Sequence, residues 1–225
     1  MKGLTEDHLA TLRRHMVEVI DIEYELTGDD TGRPRMDERL RGAMLSLPRH
    51  LFVPPQLGAL AYQDRPLPIG FDKTISQPFM SALMIDLLDL RPGDRVLEVG
   101  TGLGYQTALL ADLAGEVWSV DVVEEFVVAA AQRLRSLDKT NVTLRVGDGS
   151  RGWPDQAPFD AILVSAAAKE MPSTLAGQLE VGGRMVLPIG DKGAQKLTRV
   201  ERTSDEEVAA AEVMLVQFTE LETGP

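Results

Sequence analysis

The sequence predicts a doubly wound α/β fold with a mostly parallel sheet of about seven strands and an N-terminal helical and extended extension. Three observations lead to this prediction. From residue 95 onward, short apolar runs alternate with helical patterns, which is typical of a parallel sheet covered on both faces. A glycine-rich turn follows the first of these runs, and the first 78 residues lack the alternation. We therefore expect an extension, 1–78, that faces a substrate, and a core, 79–225, that binds a cofactor, together forming one compact unit.

The extension is predicted to begin with an amphipathic helix over residues 5–26, where apolar residues recur at helical spacing. Residues 27–34 are rich in Thr, Gly, Asp and Pro, which predicts a loop. Asp37 is a candidate N-cap for a second helix that ends at Pro48. Six of the 13 prolines fall between residues 48 and 78, so this stretch is expected to be extended or turning chain. It either faces a substrate or packs across the domain as an arm.

The elements of the core follow from their apolar patterns, taken in order along the chain. Helices are expected at 79–90, about 104–114, 123–137 and 172–180. Parallel strands are expected at 95–99, 116–120, 142–146, 160–165 and 184–188. Two further strand-like runs, 196–202 and 212–218, are joined by an acidic turn. We expect them to pair as a hairpin at one edge of the sheet.

The composition excludes several classes of protein. The 225-residue chain has 23 Lys and Arg against 35 Asp and Glu, and the resulting charge of −12 disfavours nucleic acid as the main partner. The absence of cysteine excludes disulfides, thiolate metal sites and thiol nucleophiles, and we expect no metal site. No uncharged apolar run approaches the roughly 18–20 residues of a membrane helix, and no secretory signal is visible. A cytoplasmic protein without a membrane partner is the expectation, with a monomer as the default because these features do not encode oligomeric state.

The strongest local motif is the turn Gly100-Thr-Gly-Leu-Gly104 between a predicted strand and a helix. Glycines let a ligand approach the backbone, and the helix N-terminus offers free N–H groups. A dinucleotide site requires G-x-G-x-x-G, but the last position of that pattern is occupied here by Tyr105. The form G-x-G-x-G after an acid, here Glu98, is instead the pattern of S-adenosylmethionine binding in Rossmann-like class I methyltransferases. The alternative is a tight turn that binds no ligand.

Acidic residues accompany three successive predicted strands. Glu98 lies in the first, Asp121 ends the second, and Asp148 follows the third. The carboxyl ends of parallel strands meet at the edge of the sheet where ligands bind. A carboxylate at Asp121 can accept both ribose hydroxyls of a nucleoside, and Asp148 can reach the adenine edge. This arrangement favours S-adenosylmethionine as the cofactor.

Other segments of the sequence are as distinctive as the turn. They are Leu47–Pro54, Ala61–Gly70, Thr74–Pro78, Arg91–Gln106, Gly147–Gly149, Gly152–Pro154, Pro158–Ala161, Val181–Arg184 and Leu187–Gly190. Together they closely resemble the protein-L-isoaspartate (D-aspartate) O-methyltransferase family, over a region that extends from near Met16 to near Phe218. The glycine turn is shared by many methyltransferases, whereas the Pro-Arg-His and Thr-Ile-Ser-Gln-Pro segments are much more specific to this family.

The resemblance implies methyl transfer from S-adenosylmethionine to the α-carboxylate of L-isoaspartyl residues in damaged proteins and peptides, with S-adenosyl-L-homocysteine as the product. The ester then collapses to a succinimide that reopens partly to aspartate. Ser76 is implied to be the catalytic, substrate-contacting residue. The cofactor-binding residues implied are Thr74, Ile75, Gln77, Glu98, Gly100, Thr101, Gly102, Gly104, Asp121, Val122, Asp148 and Gly149. Arg49, His50 and Gln195 are candidate substrate contacts, although for Arg49 and His50 a role in locking the extended arm is favoured.

The chemistry of the substrate agrees with this interpretation. An α-carboxylate has a pKa of about 3.3–3.7 and is ionised at pH 7, so its attack on a sulfonium methyl group needs no general base. The enzyme mainly aligns the reacting atoms, and a hydroxyl such as that of Ser76 suits this task. Three alternatives stay open. They are modification of aspartates in ribosomally made peptides, whose enzymes carry an extra C-terminal domain, methylation of a small molecule, and cofactor binding without catalysis.

Overall fold

A computed structural model describes residues 5–224, which form two β-sheets. The smaller sheet is a hairpin of β1 (Leu67–Gly70) and β2 (Lys73–Ile75). The larger sheet contains β3 (Arg95–Val99), β4 (Glu116–Asp121), β5 (Val142–Val146), β6 (Phe159–Val164), β7 (Leu179–Ile189), β8 (Lys196–Arg202) and β9 (Val208–Leu215). Its strand order is β5-β4-β3-β6-β7-β8-β9, in which β8 pairs antiparallel with both β7 and β9 and all other neighbours pair parallel. The predicted mostly parallel seven-stranded sheet is therefore confirmed.

Helices cover this sheet. They are α1 (Glu6–Thr31), α2 (Glu38–Ser46), α3 (Pro78–Asp86), α4 (Tyr105–Leu113), α5 (Glu124–Ser136) and α6 (Ser173–Ala176). Alternate residues of the central strands enter two apolar clusters, with Val96 in one and Leu97 and Val99 in the other. This alternation is the burial of both faces that a parallel sheet requires. Within residues 5–224, no helix is long and apolar enough to cross a membrane.

The prediction of a loop at 27–34 is largely wrong, because α1 continues to Thr31 and Gly32 is its C-cap. The threonines in this stretch do not interrupt the helix. The hydroxyl of Thr27 donates to the carbonyl of Glu23 at 2.7 Å, and that of Thr31 donates to the carbonyl of Thr27 at 2.9 Å. Each side chain is thus satisfied within the helix, which overrides the loop-like composition.

Two other boundaries differ from the sequence expectation. The helix expected at 172–180 is a single turn, because the chain enters the sheet at Leu179 and β7 is much longer than predicted. The last strand covers Val208–Leu215 rather than 212–218, and it pairs with β8 as the expected edge hairpin. Edge strands carry weaker apolar patterns than buried strands, so their ends are poorly defined by sequence.

The proline-rich segment has more structure than extended chain. It contains two 3-10 helices, Arg49–Phe52 and Pro55–Leu60, followed by the hairpin of β1 and β2. The ring of Phe52 packs edge-on against Tyr105 of α4, with 5.6 Å between the centroids. The extension and the core therefore share one continuous apolar cluster.

Candidate active site

A cavity lies at the carboxyl ends of β3, β4 and β6. β3 stands between β4 and β6, so the strand order reverses at this point, and open α/β sheets form a ligand crevice there. The cavity is lined by Gly100 after β3, Val122 after β4 and Ser165 after β6. The edge of the sheet that the sequence predicted to bind a ligand thus contains a cavity.

The glycine turn forms one wall of this cavity through Gly100, Thr101 and Gly102. The N–H of Gly100 donates to the carbonyl of Val120 at 2.8 Å, which fixes the start of the turn on β4. Gly104 has a different task from the other two glycines. Its φ is +93°, and a Cβ atom built there would lie 3.1 Å from the Cβ atom of Ala130 in α5. This glycine lets the turn pack closely against α5, and it does not line the cavity.

Asp121 lies in the cavity wall at the end of β4. Its Oδ2 accepts from the N–H of Gly102 at 2.8 Å, and its Oδ1 accepts from the N–H of Val123 at 3.0 Å. Burial raises the pKa of this carboxyl, while the two backbone donors favour its ionised form. A carboxylate oxygen has more than one lone pair, so the side chain can still accept further hydrogen bonds from a ligand.

Glu98 stabilises the turn indirectly. Its side chain is fully buried and does not line the cavity. Its Oε2 accepts from the hydroxyls of Thr107 at 2.5 Å and Ser119 at 2.6 Å. The hydroxyl of Ser119 also lies 2.6 Å from that of Thr101 in the turn. Burial raises the pKa of Glu98 to about 8, against the opposing effect of its two hydroxyl donors. The acid therefore reaches the turn through neighbouring side chains.

Replacing Glu98 with glutamine is expected to change the pH dependence of stability. The folded protein holds the Glu98 proton up to about pH 8, whereas an ordinary glutamate releases it near 4.5. The folded state thus binds more protons in this interval, and wild-type stability falls as the pH rises, by up to about 1.4 kcal/mol per pH unit. Glutamine does not titrate, so Glu98→Gln does not lose this stability. Between pH 5 and 8, its free energy of unfolding should therefore rise relative to that of the wild type.

Urea unfolding of both proteins at pH 5.5, 7 and 8.5 measures this difference. Glu125→Gln is the matched control, because Glu125 lies exposed in the first turn of α5. A difference between Glu98→Gln and the wild type that stays constant across the three pH values contradicts the raised pKa.

Asp148 and Gly149 come after β5 at the same edge of the sheet. The Oδ1 atom of Asp148 accepts from the backbone N–H of Ser150 at 2.9 Å and from its hydroxyl at 2.6 Å. Burial acts to raise the pKa of Asp148, but the bonds from Ser150 and the charge of Arg151 lower it overall. Gly149 lines the cavity, and a Cβ atom there would lie 2.4 Å from a methyl carbon of Val99. Any larger residue would fill the space between the strand ends.

The end of β2 and the residue that follows it form the opposite wall. Thr74, Ile75 and Ser76 line the cavity, and a second, larger groove meets the cavity at Thr74 and Ser76. Gln77 lines only this groove, and its amide donates to Asp64 at 2.5 Å. No hydrogen bond of the Ser76 hydroxyl occurs within the described residues, so this group is free to bind a ligand.

The candidate substrate residues lie elsewhere. Arg49 is fully buried, and its guanidinium bonds to backbone carbonyls, which favours the arm-locking role over direct substrate contact. Nδ1 of His50 lies 2.7 Å from the hydroxyl of Tyr62, and burial lowers the pKa of the histidine. Gln195 is also buried, and its amide bonds to the N–H and carbonyl of Phe218. Neither His50 nor Gln195 lines the cavity or the groove.

Sequence reasoning missed several residues of the cavity wall. Ser165 follows β6 and lines both the cavity and the groove, so its place after a central strand could have identified it. Residues 219–222 cross the mouth, where the N–H of Leu221 donates to the carbonyl of Ala167 at 2.8 Å. Lys73 pairs with Glu222 across the same mouth at 2.5 Å. These contacts join distant parts of the chain and leave no local pattern.

Comparisons with known proteins agree with this geometry. The family model for protein-L-isoaspartate (D-aspartate) O-methyltransferase matches residues 30–224. Protein-L-isoaspartate O-methyltransferase 1 of Polaromonas sp. is 46% identical over 219 residues, which cover 97% of this chain and 93% of that protein. The protein-L-isoaspartate O-methyltransferase of Anaeromyxobacter dehalogenans is 54% identical over 187 residues, with 82% and 90% covered.

Solved structures support the same assignment. A protein-L-isoaspartate O-methyltransferase aligns with a TM-score of 0.77 at 28% identity and covers 91% of this chain and 65% of its own. A Plasmodium falciparum protein solved with S-adenosyl-L-homocysteine has a TM-score of 0.77 at 22% identity, covering 96% and 98%, and it shows the shared fold. From the family match, the close relatives and the cavity at the reversal of strand order, this chain belongs to the protein-L-isoaspartate (D-aspartate) O-methyltransferase family.

Proposed function

We propose that the chain transfers a methyl group from S-adenosylmethionine to the α-carboxylate of L-isoaspartyl residues in damaged proteins and peptides, which starts their repair through a succinimide. Family membership supports the activity and the cofactor. The single observation that carries the assignment of roles is the position of Ser76, because its free hydroxyl lies where the cofactor cavity meets the second groove.

The cavity residues fit the cofactor. S-adenosylmethionine supplies, when bound, an electrophilic methyl group on a sulfonium. Asp121 has lone pairs available for ribose hydroxyls, and its two backbone bonds hold the carboxylate in place. The turn 100–102, Val122 and Gly149 would hold the cofactor beside it, with Thr74 and Ile75 on the opposite wall.

The groove fits a peptide segment. It is lined by Ser76 and by the apolar side chains of Phe79, Met80 and Phe218. Ser76 would donate a hydrogen bond to one oxygen of the substrate carboxylate and hold the other oxygen toward the cavity. Because the carboxylate is already ionised at pH 7, this alignment replaces acid–base chemistry. We also propose that 1–78 acts as the substrate-facing extension of the core.

The function is tested with a pair of peptides that differ only in an isoaspartyl or aspartyl linkage. Labelled methyl transfer from S-adenosylmethionine is expected on the isoaspartyl peptide alone. Equal transfer to both peptides would indicate a different specificity, and transfer to neither, with cofactor binding retained by calorimetry, would indicate a binding protein without this catalysis.

Ser76→Ala is expected to lower kcat about 10- to 100-fold and to change the cofactor Kd less than about twofold, because the hydroxyl orients the carboxylate only. Steady-state kinetics on the isoaspartyl peptide and calorimetry with S-adenosyl-L-homocysteine separate the two effects. Ser46→Ala is a suitable control, since this exposed hydroxyl bonds only to the carbonyl of Gly42 at the end of α2. Wild-type kinetics in Ser76→Ala would remove the serine from the mechanism.

A further inference from the structure

We propose that Arg49 is a positioning residue that sets the backbone of Ser76 for methyl transfer and couples it to the cofactor turn, an inference that rests on the proposed function. Arg49 begins the 3-10 helix Arg49–Phe52, and its side chain is the largest of those that are fully buried. It lines neither the cavity nor the groove. Its influence on the reaction must therefore pass through other residues.

The first link is to Ser76 itself. Nη2 of Arg49 donates to the carbonyl oxygen of Ser76 at 2.6 Å, and Nε donates to the carbonyl oxygen of Ala61 at 2.9 Å. Hydrogen bonds from a charged donor are about twice as strong as neutral ones, and the planar guanidinium holds its donors at fixed angles. One rigid group thus ties the carbonyl of Ser76 to Ala61, which directly follows the 3-10 helix Pro55–Leu60.

The second link is to the cofactor wall. The Cζ atom of Arg49 lies 4.6 Å from the ring centroid of Tyr105, which lines the cavity and is the first residue of α4 after the glycine turn. A cation over an aromatic ring is attracted by the ring, and more strongly when it is desolvated. One guanidinium therefore contacts the substrate-side backbone and the cofactor-side helix together. A displacement of about 1 Å between two such walls can cost about 100-fold in rate.

Asp64 fixes the chain that follows the serine. Its Oδ1 accepts from the N–H of Phe79 at 2.8 Å, and its Oδ2 accepts from the side chain of Gln77 at 2.5 Å. Arg49 holds the carbonyl of Ser76, and Asp64 holds the residues that follow. The backbone is thereby held from the carbonyl of Ser76 to Phe79, while the hydroxyl of Ser76 stays available.

The chemistry of the buried group argues against a purely structural role. No carboxylate lies within 4 Å of the Arg49 guanidinium among residues 5–224, and its Nη1 has no hydrogen-bond partner there. Burying an ion without a counter-ion costs several kcal/mol, and an apolar side chain would fill the space at lower electrostatic cost. Of the two hydrogen bonds that Arg49 does make, one is directed at the carbonyl of Ser76 in the active-site segment.

The test uses Arg49→Lys, which keeps the charge but cannot hold two carbonyls with a planar fork. We expect kcat on the isoaspartyl peptide to fall about 10- to 100-fold, with the cofactor Kd changed less than about twofold. Arg39→Lys is the matched control. The Arg39 guanidinium also binds two backbone carbonyls, those of Leu90 and Leu113, but at the opposite end of the sheet, and this variant should retain wild-type kcat.

A double-mutant cycle distinguishes positioning from a general loss of structure. If Arg49 acts through Ser76, Arg49→Lys should lower kcat less than about twofold further in the Ser76→Ala background. Multiplicative losses, or wild-type kcat in Arg49→Lys, overturn the proposal. Failure of both Arg49→Lys and Arg49→Gln to fold would also overturn it, because it would show a structural role.

Hydrogen exchange provides a readout that does not depend on activity. The amides of residues 74–79 should exchange faster in Arg49→Lys than in the wild type, while those of β4 and β6 stay protected. Unchanged exchange at 74–79 overturns the positioning role even if kcat falls. If the wild type fails to methylate the isoaspartyl peptide but exchange at 74–79 responds, the proposed function fails while the structural link of Arg49 to Ser76 holds.

Discussion

Asp121→Ala is expected to weaken S-adenosylmethionine binding about 100-fold. The substitution removes the carboxylate that would accept the ribose hydroxyls, and it also removes the acceptor for the N–H groups of Gly102 and Val123. A hydrogen bond to a charged group contributes about 1.5–3 kcal/mol, and about 2.7 kcal/mol corresponds to a factor of 100 in Kd. Isothermal titration calorimetry with S-adenosyl-L-homocysteine measures this loss without turnover.

Two further variants serve as comparisons for Asp121→Ala. Asp121→Asn keeps one carbonyl oxygen and should lose about 10-fold in affinity, since part of the acceptor set stays in place. Asp155→Ala removes an exposed carboxylate from the 3-10 helix Pro154–Gln156 and should bind the cofactor as the wild type does. Wild-type affinity in Asp121→Ala, with the fold intact by circular dichroism, would show that this acid does not hold the cofactor.

Gly152→Ala is expected to reduce the free energy of unfolding by about 3–5 kcal/mol, which is a large part of the total for an ordinary domain. Gly152 has φ +62° and ψ −142°, a conformation that residues with a Cβ atom rarely adopt. A Cβ atom there would also lie 2.3 Å from the Oε1 atom of Gln178. That oxygen accepts from the N–H of Trp153 at 2.8 Å, and the Nε2 atom of the same amide donates to the carbonyl of Arg151 at 2.8 Å.

The conformational strain and the loss of those bonds are separated by a second glycine. Gly182 has φ +83°, but a Cβ atom built there meets no atom within 4 Å. Gly182→Ala should therefore cost only about 1–2 kcal/mol from the backbone. Thermal and urea unfolding of both variants measure the difference, and equal losses would show that the Gln178 contact carries no weight. The loop that Gly152 closes also carries Asp148 and Gly149, so weaker cofactor binding is expected to accompany the instability.

Most of the sheet could be predicted from sequence, because buried parallel strands are short apolar runs. Each run is visible in the sequence without knowledge of the strand that it pairs with. The strand Arg95–Val99 has the predicted bounds, and the turn at Gly100 lies on the cavity as expected. The place of Asp121 in the cavity wall could be predicted as well, since a residue at the end of a strand must lie at the edge of the sheet. Local composition was misleading in the last turns of α1, where the hydroxyls of Thr27 and Thr31 bond to carbonyls of the helix itself.

The side chains whose neighbours are distant in sequence could not be located in this way. Arg49 looked like a substrate residue, yet it meets Ser76 across 27 positions and is wholly enclosed. Gln195 bonds to the backbone of Phe218, and Ser165 joins the cavity only because β6 pairs with β3.

The sequence by itself determined the fold class, the edge of the sheet that contains the cavity, and the family, because these depend on periodicity and on short motifs. Only the tertiary structure decided which polar groups line the cavity. It also decided which buried groups hold those polar groups in place. A buried donor is satisfied by whatever carbonyl the packing brings within about 3 Å, and no local pattern encodes that choice.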